Sequence, residues 1–527
     1  MKKFYLKILL LVFLSVICSL QAKVIYEKPI VFGDEGFHAG LSRYMAKTLD
    51  FPAVWEFVGN QLTGFSVYHR PPLWNLLLSS FYLIGGEFLA KSSLILIAFL
   101  IGLSVFCLIS KLFDPTTGLF SAILCLTAPS AVTYAVLFYT DYLFLLFTSM
   151  FLFTFLLYQK EKKPIYLYFS FIFSSLCFLT KAPGFAYPVF LFLMWLIELI
   201  KKNFSSFKPY LFSFIILFLI ISGYLIRNFY YFKAPLCYSH FKKLFPENLC
   251  GHKKFKGSYK FAGRTEKVGT EQNVFSLGLI NYLDFAYGNI WLIPFLFLSG
   301  LFLLSNKKSF LIPTILFLLI YFYIFLISTA RAEDTARYTL GCLPLISLIA
   351  SLFLSKLVKK DEYEYFIFIA IFSLVLAISF QNFYQKLKTM ALVKTFSPSF
   401  FEACDWVKKN LPSDSRLLTI WAYRALYNCE RKSGGQIADI SLSNNLTLVL
   451  DLLKKANYTH IFIQKFSIDP NNKHLVEKYD LNFVEFLESH PEKFVKVFEN
   501  GPSLEQCKKL WRVGLSCDGN IIYEVNF

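Results

Sequence analysis

The sequence predicts a membrane protein built mainly from helices that cross the bilayer many times. Of its 527 residues, 56% are hydrophobic and 19% aromatic, whereas 17% are charged, below the roughly 25% of a typical soluble domain. Many windows hold the about 20 apolar residues that a membrane-crossing helix needs. The expected fold class is an all-α polytopic membrane domain of about eleven transmembrane helices, followed by a C-terminal extracytoplasmic α/β domain.

The formal net charge of +18 fits membrane topology better than binding to nucleic acid. Lys and Arg mostly lie in short clusters beside apolar runs, and such clusters mark the cytoplasmic side. Lys2 and Lys3 precede the first apolar run, which we interpret as an uncleaved span rather than a signal peptide, because Gln21–Lys23 is a poor cleavage site. The N-terminus is therefore expected in the cytoplasm, and the residues after the first span outside.

The predicted spans cross the membrane in alternating directions, and each span that runs towards the cytoplasm is followed by Lys. Leu73 to Ile84 is apolar but too short to cross, so we interpret it as a helix half-sunk in the outer surface. The predicted spans are 1–20, 92–110, 118–134, 142–158, 164–179, 184–200, 210–226, 290–304, 310–327, 340–357 and 366–380.

The domain boundaries follow from this pattern. Residues 1–381 form the predicted membrane domain, with external loops at 21–91 and 228–289, and 382–527 form the predicted soluble domain. Alternating strands and helices in the second part indicate a small α/β module. The helices expected there are 401–409 and 446–455, and the strands are 416–420, 460–464, 494–498 and 521–525.

Six cysteines fall outside the predicted spans, an even number that permits disulfides in an oxidising compartment. Six unpaired thiols are an equally weighted alternative. These cysteines are Cys237, Cys250, Cys404, Cys429, Cys507 and Cys517.

Carboxylates occur at the outer ends of predicted spans. Asp34 and Glu35 follow the first span, where a carboxylate can act as a general base or as a ligand for a divalent ion. Ala39 to Leu49 has the helical spacing of a segment lying on the membrane surface. Asp141 begins the span 142–158 among aromatic residues, and a functional role and a helix-capping role are weighted equally there.

Cations converge on the same side of the membrane. Arg is well shaped to bind phosphate, so cations and acids together indicate a site for a sugar carried on a lipid phosphate. His38 and His69 lack a partner at metal-ligand spacing and are more typical of hydrogen-bonding loop residues. The outer cations are Arg70, Lys181, Arg227, Arg331 and Arg337.

Six short motifs appear in order between residues 1 and 360. They are Asp34-Glu35 with Arg43-Tyr44, Arg70-Pro71-Pro72-Leu73, Tyr139-Thr140-Asp141, Leu179-Thr180-Lys181-Ala182-Pro183, Ile226-Arg227-Asn228 and Ala336-Arg337-Tyr338. In these motifs the chain resembles the GT-C class of integral-membrane glycosyltransferases, in particular the superfamily of protein O-mannosyltransferases and aminoarabinose lipid A transferases. It departs from the family pattern at Ala182, usually Gly, and at Arg70, usually Lys or His.

The resemblance implies an inverting transfer of a sugar from a polyprenyl-phosphate donor to an extracytoplasmic protein, lipid or glycan, in the cell membrane. It implies catalytic roles for Asp34, Glu35 and Asp141, with no certain cofactor and a divalent metal at Asp34 and Asp141 left open. The residues expected to bind the donor phosphate are Arg70, Lys181, Arg227, Arg337 and Tyr338, and those expected to contact the acceptor or support the site are His38, His69 and Tyr139.

Two rivals remain at this point. An oligosaccharide ligase or polymerase that uses diphosphate-linked chains would also need external Arg and acidic residues. A lipid or sugar transporter is less favoured, because transport predicts ionisable residues near the bilayer midplane and repeated halves.

Overall fold

The structure of the protein is a computed structural model. It describes residues 3–30, 33–51, 54–55, 65–66, 71–201, 207–232, 235, 299–300, 312–320, 337, 340–358, 364–392, 398–419, 422–434, 445–455, 457–468 and 481–527. The described residues form two compact units. The membrane unit contains the long apolar helices, and the C-terminal unit contains a five-stranded sheet together with a short segment that follows the first helix.

The membrane unit is helical throughout its described part. Six of its described helices are long and apolar enough to cross a membrane, or seven if the bent pair α4–α5 counts as one span. Predicted span 290–304 and loop 228–289 lie mostly outside the described residues, and of predicted span 310–327 the structure describes 312–320. The helices are α1 (Lys3–Glu27), α3 (Leu73–Leu112), α4 (Pro115–Thr127), α5 (Pro129–Ala135), α6 (Thr140–Glu161), α7 (Pro164–Thr180), α8 (Ala186–Ile200), α9 (Phe207–Phe232), α10 (Leu343–Val358) and α11 (Glu364–Leu392).

Helix α3 contains both the predicted surface helix and the predicted span that follows it. The two parts meet at Gly85 and Gly86, whose backbone is not helical. Gly86 has φ 61° and ψ −151°, a combination that is open essentially to glycine alone. The glycine pair therefore breaks the apolar run where the sequence predicts a change of role.

Helix α6 lies at the centre of the membrane unit, with 89% of its most apolar window buried. Aromatic rings hold it against its neighbours, since Tyr187 of α8 stacks on Phe144 and Phe151, with ring centroids 5.8 and 4.7 Å apart. The Tyr187 hydroxyl also shares a 2.8 Å hydrogen bond with Thr148. This packing fixes the helix whose first turn carries Asp141.

The C-terminal unit is built around a mixed sheet with strand order β4-β3-β5-β7-β6. Strands β3, β4 and β5 are parallel, whereas β7 runs antiparallel to β5 and β6. Its elements are α2 (Gly33–Thr48), β1 (Val54–Trp55), β2 (Phe65–Ser66), α12 (Pro398–Asn410), β3 (Arg416–Leu418), α13 (Ala422–Asn428), β4 (Lys432–Gly434), α14 (Leu446–Lys455), β5 (His460–Gln464), α15 (Leu481–Glu488), β6 (Phe494–Asn500), α16 (Leu504–Arg512) and β7 (Asn520–Val525).

Both faces of this sheet are covered, because successive side chains of a strand point to opposite faces. Ile461 and Ile463 of β5 join one apolar cluster with α14, α15 and α16. Phe462 joins a second cluster with α12 and α13 on the other face. Disulfides Cys404–Cys429 and Cys507–Cys517 each close within this unit, so four of the six cysteines predicted outside the spans are paired.

Two boundaries differ from the sequence prediction. Helix α11 continues to Leu392, past the boundary predicted at 381, because its apolar pattern runs on without a break. Helix α2, placed by the sequence in a loop of the membrane domain, belongs to the C-terminal unit. Its apolar residues Phe37, Leu41 and Met45 pack with Ala422 of α13 instead of facing a membrane surface.

Candidate active site

Asp141 is the centre of a charged cluster at the first turn of α6. Its side chain is fully buried and accepts hydrogen bonds from two cations. The Lys181 Nζ lies 2.5 Å from Asp141 Oδ1, and the Arg337 Nη2 lies 3.3 Å from Asp141 Oδ2. A carboxylate in a first helical turn is also stabilised by the helix dipole, so the position suits a permanent anion.

Lys181 reaches this carboxylate because the chain turns sharply at the end of α7. Lys181 is extended, with φ −152° and ψ 145°, and Ala182–Phe185 then forms one 3-10 turn. At Gly184, a Cβ would lie 2.3 Å from the carbonyl oxygen of Cys177, so the turn packs directly onto the helix backbone. The glycine needed for this close approach stands at 184, whereas 182 carries alanine.

Arg337 closes the cluster from a distant part of the chain. Its Nε lies 3.5 Å from Asp141 Oδ1, and its carbonyl oxygen accepts a 3.1 Å hydrogen bond from Lys181 Nζ. The guanidinium carbon lies 4.8 Å from the centre of the Tyr139 ring, within cation–π range. Because the Arg337 side chain is 21% exposed, its guanidinium is partly accessible.

The loop before Asp141 is tied to the start of α3. Trp74 is fully buried, and its indole Nε1 donates a 3.0 Å hydrogen bond to the carbonyl oxygen of Phe138. This bond joins the end of the Arg-Pro-Pro-Leu motif to the Tyr-Thr-Asp motif. Sequence reasoning missed the supporting role of Trp74, although a tryptophan directly after Pro-Pro-Leu was a signal for it.

The cluster places two cations beside one buried carboxylate. Lys181 Nζ and Arg337 Nη2 both lie within 3.3 Å of a carboxylate oxygen of Asp141. A forked guanidinium and an ammonium held side by side form a fitting site for a phosphate group. The arrangement can thus bind a phosphorylated ligand and stabilise the charge that develops on a departing phosphate.

Asp34, Glu35 and His38 lie on α2, in the C-terminal unit. Asp34 is half-buried, whereas Glu35 and His38 are each 1% exposed. Both acids stand in the first turn of the helix, where the dipole favours negative charge. Within the membrane unit, the structure brings together the predicted site residues Asp141, Lys181, Arg337 and Tyr139.

Of the remaining candidates, the structure describes Arg227. Arg227 stands on α9, where its Nη1 donates a 3.3 Å hydrogen bond to the side chain of Asn228. Arg70, His69 and Tyr338 fall outside the described residues.

A divalent metal at Asp34 and Asp141 stays a prediction. Within the described part of the chain, no group of three or more His, Cys, Asp and Glu side chains is placed to hold a metal ion. Both carboxylate oxygens of Asp141 already face cations, which does not fit a metal ligand.

Comparison with known proteins finds one matching family. Residues 69–226 match the family described as dolichyl-phosphate-mannose-protein mannosyltransferase. No curated protein matches the chain significantly.

Several solved structures share the fold. The apo oligosaccharyltransferase of Archaeoglobus fulgidus has a TM-score of 0.66 at 11% identity, over 99% of this chain and 90% of that one. ArnT from Cupriavidus metallidurans bound to undecaprenyl phosphate has a TM-score of 0.62 at 12% identity, over 97% of each chain. The mycobacterial arabinofuranosyltransferase AftD has a TM-score of 0.54 at 12% identity, over 98% of this chain and 40% of that one.

These matches test the resemblance that the motifs indicated. The family match covers the motifs around Arg70, Asp141 and Lys181, and the structural matches extend over nearly the whole chain. The resemblance to the GT-C class of integral-membrane glycosyltransferases is therefore confirmed, and the chain is a multi-pass membrane protein with the fold of that class.

Proposed function

We propose that this protein transfers a sugar from a polyprenyl-phosphate donor to a protein, lipid or glycan acceptor on the extracytoplasmic side, with inversion at the anomeric carbon. The observation that carries the proposal is the Asp141–Lys181–Arg337 cluster, in which two cations share one buried carboxylate. A donor of this kind presents a phosphate beside a lipid tail, so it needs cations on a helix bundle that faces lipid.

Lys181 and Arg337 bind the donor phosphate in this proposal, and Asp141 positions them. Removing Asp141 would leave two cations to repel each other, whereas its carboxylate holds both within 3.3 Å. Arg337 is the more exposed of the two, with 21% against 9% for Lys181, so Arg337 makes the more direct phosphate contact.

The transfer is a single displacement. A hydroxyl or amide of the acceptor attacks the anomeric carbon, and its proton passes to the carboxylate of Asp34 as general base. The bond between the anomeric carbon and the phosphate oxygen breaks, and polyprenyl phosphate leaves with the bonding electron pair. Lys181 and Arg337 stabilise the second negative charge that the leaving phosphate acquires.

Structural relatives support a lipid-phosphate donor. ArnT from Cupriavidus metallidurans was solved with undecaprenyl phosphate, and the Archaeoglobus fulgidus enzyme was solved with a dolichol-phosphate and an inhibitory peptide. That enzyme is an oligosaccharyltransferase, which favours a second candidate. In this alternative the chain transfers an oligosaccharide from a diphosphate-linked lipid.

The test is turnover by the purified full chain in lipid nanodiscs. Radiolabelled polyprenyl-phosphate hexoses and pentoses and diphosphate-linked oligosaccharides are supplied with crude membrane acceptors, and release of the lipid phosphate is followed. Release from a monophosphate donor supports the proposal, whereas release only from diphosphate donors supports the alternative. Intact donors throughout would contradict both.

Three variants connect this turnover to the proposed residues. Asp34→Asn should lower kcat by ~10²–10⁴-fold, because the general base is lost. Arg337→Gln should lower kcat by ~10²–10³-fold. Arg337→Lys should lower kcat less, because lysine keeps the positive charge but lacks the forked N–H donors of the guanidinium. The exposed Arg512 in α16 provides the control, and Arg512→Gln should turn over like the unchanged protein.

A further inference from the structure

The C-terminal unit holds helix α2 by a clamp at the end of α13. Arg43 of α2 donates a 2.7 Å hydrogen bond from Nη2 to the carbonyl oxygen of Tyr427. Its guanidinium carbon lies 4.4 Å from the centre of the Tyr427 ring, and its Nη1 lies 3.6 Å from a carboxylate oxygen of Glu430. A cation is favourable at a helix C-terminus, where carbonyl groups lack partners.

The same short segment also holds the chain before α2. Asn428 Nδ2 donates a 2.9 Å hydrogen bond to the carbonyl oxygen of Ile30. Tyr427 and Asn428 are adjacent in the chain. Asn428 contacts Ile30, before Asp34 and Glu35, and Tyr427 contacts Arg43, after them. The next residue, Cys429, forms a disulfide with Cys404 of α12, which anchors the segment to the sheet domain.

Apolar packing completes the attachment. Phe37, Leu41 and Met45 of α2 are buried together with Ala422, and Leu426 packs against them. A Cβ at Gly40 would lie only 3.1 Å from Leu426 Cδ2, so the two helices approach closely. Helix α2 is therefore fixed along its length by α13.

From these contacts we infer that Arg43 is a positioning residue, which, with the Cys429-anchored end of α13, sets the placement of the carboxylates on α2. The inference rests on the proposed function, in which Asp34 is the general base, and adds a role for the C-terminal unit, because Arg43, Tyr427 and Asn428 all belong to it. A displacement of about 1 Å at a reacting group can cost ~100-fold in rate. Loss of the clamp should therefore act on kcat rather than on donor binding, since Lys181 and Arg337 lie in the membrane unit.

The experiment compares Arg43→Ala with Arg431→Ala in the full chain in nanodiscs. Arg431 follows Glu430 shortly after the end of α13. Its Nη2 donates hydrogen bonds to the carbonyl oxygens of Lys408 and Leu411 and not to α2. Arg43→Ala should lower kcat by ~10–100-fold with KM unchanged, measured with whichever radiolabelled lipid-linked donor the unchanged protein turns over. It should also speed hydrogen–deuterium exchange in α2, whereas Arg431→Ala should alter neither kcat nor the exchange of α2.

A cross-link supplies a rescue that a general loss of stability would not allow. Because a Cβ at position 40 would lie 3.3 Å from Leu426 Cγ, cysteines at 40 and 426 are well placed to form a disulfide. In the Arg43→Ala background, G40C with L426C should restore kcat after oxidation, and neither cysteine alone should do so.

The outcomes separate this inference from the proposed function. Unchanged kcat in Arg43→Ala, or lost kcat that the cross-link does not restore, would overturn the positioning role while leaving the transferase intact. If the unchanged protein turns over no donor, the proposed function fails. In that case faster exchange of α2 in Arg43→Ala would still support the clamp, and unchanged exchange would overturn it.

Discussion

Two buried lysines, one in each unit, pair with a carboxylate but differ in what else surrounds them. Lys465 of the C-terminal unit is fully buried, and its Nζ lies 2.8 Å from Glu499. The same amine donates to the carbonyl oxygens of Asn500 and Pro502, at 3.0 and 2.5 Å. Its three hydrogens therefore have three protein acceptors, all from one stretch of chain.

Lys181 of the membrane unit shares its carboxylate with a second cation. Asp141 faces both Lys181 and Arg337, and the arginine remains partly exposed. Its partners are also far apart in the chain, since Asp141 and Arg337 are 196 positions apart.

The difference teaches how to separate a structural pair from a binding site. Around Glu499, Lys465 and Lys496 are balanced by Glu499 and Glu488, so the group is neutral. Around Asp141 two cations share one carboxylate, and the Arg337 side chain is 21% exposed. A fully enclosed ion pair stabilises its surroundings, whereas a partly exposed cation beside a buried carboxylate can receive a ligand.

The largest expected effect is on activity at Lys181. We expect Lys181→Met to lower kcat by ~10²–10³-fold, because one of two cations facing the departing phosphate is removed. Turnover of the donor by protein in nanodiscs measures this. A kcat within twofold of the unchanged protein would show that Lys181 has no catalytic role.

Lys465→Met should lower the stability of the C-terminal unit and leave kcat unchanged. Removing one partner of a buried pair leaves Glu499 and two carbonyl groups without the amine, which costs about 3–5 kcal/mol in the free energy of unfolding of the C-terminal unit. Chemical denaturation followed by hydrogen exchange in β5 and β6 measures the loss. The folded fraction should keep its kcat, and a specific fall in kcat would place Lys465 in the catalytic machinery.

Acid should weaken the C-terminal unit in two steps. Burial lowers the pKa of His460 below its ordinary 6.5, with a smaller opposing effect of Glu524. Burial raises the pKa of Glu499, but hydrogen bonds from Lys465 and Lys496 lower it by more, so its pKa lies below the ordinary 4.5.

Both groups bind protons more readily in the unfolded chain, so stability falls as pH drops. The part due to His460 is present above pH 6.5 and is lost below it, and the part due to Glu499 is present above pH 4.5 and is lost as pH falls further. Thermal unfolding between pH 4 and 8 measures this. His460→Gln should remove the loss of stability that begins below pH 6.5 and leave the loss below pH 4.5 in place. An unchanged loss below pH 6.5 would contradict its assignment to His460.

The smallest effect is expected at an exposed pair. Lys508 lies 2.9 Å from Glu485 and 3.2 Å from Glu505 on the surface of the C-terminal unit. Lys508→Ala should change the free energy of unfolding by only ~0.2–1 kcal/mol, because water screens such pairs. The same denaturation assay measures it, and a loss comparable to that of Lys465→Met would mean that burial does not set the difference.

Local patterns predicted much of the fold. The helix expected at 446–455 and the strand expected at 460–464 have those bounds in the structure, since side-chain periodicity decides them within a few residues. Strand β4 and helix α13 were not predicted. Each is short, and β4 exists only by pairing with β3, a contact between residues 16 apart that periodicity does not encode.

The candidate site was predicted in its members but not in its grouping. Asp141, Lys181 and Arg337 were recognised from separate motifs. Asp141 was expected to have a catalytic role, with a metal left open, and the pairing of its oxygens with the two cations was not predicted. Trp74 was overlooked because its role depends on a hydrogen bond to Phe138 across 64 residues of chain.

The sequence by itself determined that this is a multi-pass membrane protein of GT-C type with a sheet-containing C-terminal part, because apolar length and motif order are local properties of the chain. Only the tertiary structure decided that α2 packs on α13 rather than on a membrane surface, and that three charges from distant segments share one buried position. Those outcomes depend on which apolar faces and which opposite charges meet after folding. Local sequence patterns do not distinguish between these partners, and the pairs that form are those whose burial leaves apolar surface covered and charges paired.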